Sequence, residues 1–148
     1  MPTLTLTQET QKRAKCQLAS ISLFDYCQIR DSNTFYNEVQ APYLKEICDA
    51  IEEFENDDNE LLIINMPPRH GKSRTATNAA SWLLGRNPTY KIMTGTYNTM
   101  LSTKFSKQVR NIILTQPRKG KIAFCEVFPG VKMKYRKCLS GNVGIRRK

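Results

Sequence analysis

Apolar side chains recur at helical spacing through the first part of the chain. After Pro42 they fall on every third or fourth residue, at Tyr43, Ile47, Ile51 and Phe54. Proline is favoured in the first turn of a helix, so this pattern predicts an amphipathic helix of about four turns that begins near Pro42. The first 30 residues show weaker periodicity and predict a helix over residues 8–23.

Two short apolar runs predict strands further along the chain. Residues 61–65, LLIIN, are typical of a strand buried on both faces, and residues 90–97 predict a second strand. A helix is predicted between them, with Ala76, Ala80, Leu83 and Leu84 on its apolar side and Gly85 and Pro88 as its stop. Another helix is predicted over residues 98–114. Strands and helices that alternate in this way predict βαβ units and a parallel sheet.

Length and cysteine usage narrow the class of protein. A chain of 148 residues fits one domain with a core of its own. No apolar run approaches the roughly 18 residues of a membrane span, and the N-terminus lacks the apolar core of a secretory signal. The five cysteines are scattered and include no CxxC pair. This spacing favours reduced thiols over a zinc site or a disulfide framework.

The charges divide unevenly along the chain. Residues 1–60 hold 5 Lys/Arg and 12 Asp/Glu, whereas residues 61–148 hold 18 Lys/Arg and one acid, Glu126. A segment so basic repels itself unless an anion shares it, and phosphates are the obvious anions, in a nucleotide or in nucleic acid. A solvated basic face is the alternative.

The first predicted strand leads into MPPRHGKS, residues 66–73. Gly71, Lys72 and Ser73 match the end of a phosphate-binding loop, but Met66 replaces the glycine that opens that motif. In such a loop the backbone N–H groups and the dipole of the next helix face the phosphates. The glycine allows close approach, the lysine reaches the β- and γ-phosphates, and the serine ligates Mg²⁺. A basic turn that only starts a helix is the alternative interpretation.

The loop and the residues after it resemble the ATPase motor of the large terminase subunit of tailed bacteriophages. The resemblance runs from PPRHGKS through LLGRNPTYKIMTGTYN and FSKQVRNII to VFPGVKMK, and covers residues 35–134. In that family a proline-rich segment takes the place of the first glycine. The resemblance implies an α/β fold, a partial P-loop NTPase with a parallel βαβ core and an N-terminal helical segment. It also implies ATP and Mg²⁺ as cofactors.

The resemblance also assigns roles to single residues. Lys72 would clamp the phosphates, Ser73 would hold the metal ion, and Gln40 would bond to the adenine edge. Arg69 would stabilise charge that develops on the transferred phosphoryl group, so Lys72 and Arg69 are the candidate catalytic residues. The nucleotide-binding set comprises Pro68, Arg69, His70, Gly71, Lys72, Ser73, Arg74 and Gln40. In the alternative interpretation Arg69 is a surface charge and Gln40 a surface glutamine.

The acids that such a motor needs for hydrolysis are missing from the sequence after the loop. One acid of a pair would hold the hydrated Mg²⁺ and the next would orient the attacking water. Glu126 is the single acid beyond Ser73, and no apolar run ends in two carboxylates, so Glu126 is not expected to be catalytic. The carboxylate cluster of the family's nuclease is missing as well. The missing half of the domain would also have supplied acids, so part of the basic excess is expected to reflect where the chain ends.

The sequence therefore predicts three segments: a helical or irregular segment at residues 1–34, a partial ATPase domain at 35–134 and a basic tail at 135–148. The tail does not resemble the family, which indicates truncation by an early stop or a frameshift.

The predicted function is that of an N-terminal fragment of a viral DNA-packaging motor that is hydrolysis-deficient on its own. Double-stranded DNA, the small terminase subunit and the portal protein would be its partners, in the cytoplasm of a host bacterium. Two alternatives stay open. One is a small P-loop kinase or NTPase of another family, and the other is a non-enzymatic basic remnant that binds nucleic acid.

Overall fold

The computed structural model describes residues 6–31, 35–39, 41–58, 60–118 and 121–131. Within this part, the helices are α1 (Leu6–Ile21), α2 (Leu23–Asp31), α3 (Pro42–Asn56), α4 (Lys72–Arg86), α5 (Thr99–Leu114) and α6 (Phe124–Val127). None of these described helices is long and apolar enough to cross a membrane. The tail predicted at residues 135–148 and the predicted adenine contact, Gln40, lie outside the described residues.

The local sequence explains where several helices begin. α3 confirms the helix predicted from Pro42, which occupies its first turn. α5 confirms the prediction over 98–114, because Asn98 caps it and accepts a 2.8 Å hydrogen bond from the N–H of Met100. The N-terminal helical prediction is also confirmed, but the chain breaks there at Ser22. The Oγ of Ser22 accepts from the N–H of Asp25 at 3.4 Å and so caps α2.

The predicted parallel sheet is wrong. The described part of the chain contains no strand, and its isolated bridge joins Arg118 and Lys121. Residues 61–67 and 91–96 lie outside the helices, and neither run makes a backbone hydrogen bond to a described residue. An apolar run favours an extended backbone, but a strand forms only where a neighbour pairs with its N–H and C=O groups. The described chain is therefore helical and lacks the βαβ core of the predicted P-loop fold.

The core is built around Trp82 of α4, which is fully buried. Its indole N–H donates to the carbonyl of Ala19 in α1 at 3.0 Å. The hydroxyl of Tyr26 in α2 lies 2.9 Å from the Oγ of Ser81. Burial raises the pKa of Tyr26 to about 12, so this hydroxyl is protonated at neutral pH and available for hydrogen bonding. α1 and α2 are thus fixed to α4 by polar contacts within an apolar core.

The predicted helix stop at Gly85 and Pro88 is confirmed, because α4 ends between them at Arg86, although the helix continues through Gly85. A Cβ at position 85 would lie 2.4 Å from the ring of Phe128. Glycine therefore lets Phe128, which follows α6, pack directly against the backbone of α4. A packing requirement explains this glycine better than a helix end does.

The predicted apolar side of α4 is only partly correct. Ala80 is buried as expected, but Ala76 is exposed. Thr75 and Asn78 are buried in its place, at 1% and 2% exposure. Polar side chains are stable inside a core when they are hydrogen-bonded, and both of these are. The apolar pattern alone therefore misplaced the buried face.

Candidate functional site

Residues 68–71 form a turn that leads directly into α4. Two of them have a left-handed backbone: Arg69 with φ 67° and Gly71 with φ 91°. Arg69 is the only non-glycine residue with a positive φ in the described part of the chain. For a residue with a side chain this region costs about 1–2 kcal/mol, so the surrounding structure holds the turn in shape. The Arg69 side chain is exposed.

Gly71 is required by space as well as by its backbone angle. A Cβ on this residue would lie 2.7 Å from the ring of Phe35 and 3.5 Å from Leu44. The sequence predicts that Gly71 admits a phosphate to the backbone. The structure places an aromatic ring on the side where the Cβ would project, so the packing of Phe35 also requires a glycine here.

The first turn of α4 presents N–H groups that no described residue pairs with. Gly71 is the N-cap and has no side chain to accept from them. The first helical hydrogen bond runs from the N–H of Thr75 to the carbonyl of Gly71, at 2.8 Å. The N–H groups of Lys72, Ser73 and Arg74 donate to no described residue. These donors and the positive end of the helix dipole favour an anion at this position.

The charged side chains of the turn differ in the contacts that they make with other residues. Lys72 and Arg69 are exposed, and neither forms an ion pair with a described residue. The guanidinium of Arg74 lies 4.4 Å from the centre of the Phe35 ring, and its Nε is 3.9 Å from Asp31 Oδ2. Lys72 and Arg69 are therefore available to an anion, whereas Arg74 already has partners.

Ser73 and His70 complete the predicted loop. The Ser73 hydroxyl is exposed and bonds to no described residue, which suits a ligand for a metal ion that phosphates also hold. His70 Nδ1 lies 2.9 Å from the carbonyl of Pro68, and because a carbonyl only accepts, this nitrogen carries the proton. The His70 ring also lies 5.9 Å from the ring of Tyr43. His70 thus braces the turn, and Pro68 contributes its carbonyl to that contact.

A buried polar network supports the first two turns of α4. The Tyr36 hydroxyl lies 3.0 Å from Thr75 Oγ1. Asn78 Nδ2 donates to Asp31 Oδ2 at 3.0 Å and to the Tyr36 hydroxyl at 3.3 Å. Burial raises the pKa of Tyr36 well above its ordinary value, so the hydroxyl keeps its proton. The network joins the end of α2 to the helix that presents the turn.

Sequence reasoning did not identify the residues that support the turn. Phe35, Tyr36 and Asp31 carry no local signal, because their roles depend on contacts 36 to 47 residues away along the chain. A signal did exist on α4 itself. Thr75 and Asn78 lie seven and four residues before Trp82, which places all three on one face of the helix.

Carboxylates for metal chemistry are scarce around this turn. The described residues contain no group of three or more His, Cys, Asp or Glu side chains that could hold a metal ion. Glu126 pairs with Lys12, and its Oε2 accepts from the N–H of Ala123 at 2.8 Å. Burial opposes ionisation of Glu126, but the Ala123 hydrogen bond and Lys12 outweigh it, so the pKa of Glu126 is lowered. These contacts give Glu126 a structural role at the start of α6.

Comparisons of this chain with protein-family models, with curated proteins and with solved structures found no match.

Proposed function

We propose that the chain binds the phosphates of ATP, together with Mg²⁺, at the turn before α4. The observation behind this proposal is the uncapped first turn of α4, whose three N–H groups are unpaired among the described residues. Two exposed cations, Arg69 and Lys72, lie beside this first turn, and neither forms an ion pair with a described residue. Unpaired donors next to unpaired cations suit a polyphosphate. The turn and α4 supply all of these groups without a sheet.

Each residue of the turn has a distinct proposed role. The N–H groups of Lys72, Ser73 and Arg74 would donate hydrogen bonds to phosphate oxygens, and the Lys72 ammonium would neutralise the β- and γ-phosphates. The Ser73 hydroxyl would ligate Mg²⁺, which bridges phosphate oxygens when bound. Arg69 would stabilise charge on the terminal phosphoryl group. The side chain of Arg74, which contacts Phe35 and Asp31, would position the helix, while the N–H of Arg74 faces the phosphates.

The same proposal assigns slow hydrolysis to this chain by itself. Efficient attack by water needs carboxylates that hold the metal and orient the water. Glu126 is the only acid after Ser73 in the sequence, and Lys12 and Ala123 already engage it. Nucleotide binding with little turnover is the expected behaviour.

At the level of biology, we propose that the chain is the N-terminal part of a viral DNA-packaging motor, a large terminase subunit. Support comes from the PPRHGKS turn at the start of a helix and from the basic half of the chain, where residues 61–125 contain no acid. Double-stranded DNA is the proposed polyanion for that half. The small terminase subunit, the portal protein and a place in the host bacterial cytoplasm belong to the same proposal.

The test is a titration of a fluorescent ATP analogue with and without Mg²⁺. Lys72→Ala is expected to weaken binding by about tenfold or more, since a charge-assisted contact is lost. Lys91→Ala is the matched control, because Lys91 is also exposed but lies outside the turn. Ser73→Ala is expected to remove the Mg²⁺ dependence, whereas Ser106→Ala, exposed on α5, is not. Equal affinity in Lys72→Ala and Lys91→Ala would overturn the phosphate site.

An ATPase assay on the purified chain tests the proposed slow hydrolysis. Turnover close to the rate in buffer is expected. Robust turnover that Lys72→Ala abolishes would show that the chain holds a complete catalytic site.

A further inference from the structure

Residues 61–67, which we call the Leu61 segment, expose apolar side chains in a strand-like pattern. Leu61 is 74% exposed and Ile63 78% exposed, whereas Leu62 and Ile64 are half-buried. This alternation has the period of two that an extended backbone produces. Met66, on the half-buried side, packs against the core. One face of the segment therefore packs against the core, and the other face is exposed to solvent.

The backbone of the Leu61 segment is also unpaired with respect to the described residues. None of its N–H or C=O groups makes a backbone hydrogen bond within the described chain. An unpaired apolar run of this kind is a template for a strand from another chain. Pro67 and Pro68 limit the length that can pair, because proline has no N–H to donate. The pairing length is thus about seven residues, 60–66, or about 23 Å of extended chain.

The charges at the two ends of the Leu61 segment have opposite signs. Asp58 and Glu60 precede it and are exposed, while Arg69 and Lys72 follow it and are exposed as well. Two copies of the segment that run antiparallel would bring the acidic end of each to the basic end of the other. Two parallel copies would bring like charges together. The segment is therefore complementary to itself in the antiparallel direction only.

We propose that the Leu61 segment pairs with the same segment of a second copy of this chain, as an antiparallel two-fold dimer. With Ile63 opposite Ile63, residues 60–66 face residues 66–60 and both prolines lie outside the ladder. Asp58 of each copy then lies opposite Pro68, one residue from Arg69. Two short strands make a small interface, so the dimer belongs to the weak class that depends on protein concentration. Because Arg69 and Lys72 also belong to the proposed phosphate site, the pairing is stated for the chain without nucleotide.

The first test is sedimentation velocity of the full chain without nucleotide, from about 5 to about 500 µM. A concentration-dependent dimer is expected. Ile63→Asp places two carboxylates opposite each other at the two-fold contact, so it is expected to weaken the dimer by about tenfold or more. Ile21→Asp is the matched control, because Ile21 is 71% exposed and belongs to α1, not to the segment. A chain that stays monomeric, or a dimer that Ile63→Asp leaves intact, would overturn the proposal.

A charge exchange tests the antiparallel direction. Asp58→Lys/Glu60→Lys makes both ends of the segment basic, and Arg69→Glu/Lys72→Glu makes both ends acidic. Each double variant alone is expected to dimerise about tenfold or more weakly, because like charges then meet at both ends. An equal mixture of the two is expected to form a heterodimer at least as tight as the wild-type dimer. Failure of the mixture to dimerise would show that another surface joins the copies. A double variant that dimerises by itself as tightly as the wild type would contradict the antiparallel direction.

Discussion

The ring of Phe35 lies 2.7 Å from the position that a Cβ on residue 71 would take, so the side chain of one residue fixes the identity of the other. The guanidinium of Arg74 lies over the same ring, at 4.4 Å from its centre. A single aromatic side chain thus supports both the turn and the first turn of α4. The proposed phosphate site is presented by this contact, although Phe35 itself need not touch the ligand.

Gly71→Ala is expected to lower the free energy of unfolding by about 2 kcal/mol or more. The new Cβ meets the Phe35 ring, and the backbone angle of φ 91° disfavours any residue with a side chain. Chemical denaturation measures the change. Gly95→Ala is the control, because nothing lies within 4 Å of a Cβ at that position. If both variants unfold at the same denaturant concentration, the Phe35 contact does not constrain the turn.

Tyr36→Phe is expected to destabilise the chain by about 1–3 kcal/mol. Removal of the hydroxyl leaves Thr75 Oγ1 and one bond of Asn78 without their partner inside the core. Thermal and chemical unfolding both measure this loss. Tyr90→Phe provides the comparison, since Tyr90 is 42% exposed and water can replace any partner it loses. An unchanged Tyr36→Phe protein would mean that the network does not hold α4 in place.

Glu126→Gln is expected to lower stability at neutral pH by less than about 1 kcal/mol, as is usual for a partly exposed ion pair. The pKa of Glu126 is lower in the folded chain than its ordinary value of 4.5, so the unfolded chain binds the proton more tightly. The contribution of ionised Glu126 to the free energy of unfolding is therefore complete above pH 4.5 and is lost as the pH falls below that value. Denaturation curves from neutral to acidic pH check this, with Glu46→Gln, exposed on α3, as the control. A deficit that does not shrink in acid would contradict the assignment.

Local chemistry made several features predictable from the sequence. Pro42 and Asn98 mark the beginnings of α3 and α5, because a proline in the first turn and an asparagine cap act within a few residues. The start of a helix at Gly71-Lys72-Ser73 is also confirmed. The proposed roles of Lys72 and Ser73 follow from the same three residues, and they stay predictions.

Local sequence could not show whether residues 61–65 pair with another strand in a sheet. The run at residues 61–65 has the composition of a strand, and its alternating exposure is consistent with an extended chain. Whether such a chain becomes part of a sheet depends on a partner that supplies hydrogen bonds from elsewhere, and no described residue does so. Apolar composition therefore predicted a local conformation and could not predict its pairing.

The sequence by itself determined where α3, α4 and α5 begin, where the glycine turn lies and which cations lie beside it, because these depend on neighbours within one or two helical turns. Tertiary structure alone decided that Phe35 fills the space beside Gly71, that Phe128 requires Gly85, and that Thr75 and Asn78 are buried where Ala76 is not. Those outcomes depend on shape and hydrogen-bond partners contributed by residues far apart in the chain. A pattern of apolar and polar positions does not show which distant side chain will pack against a given residue.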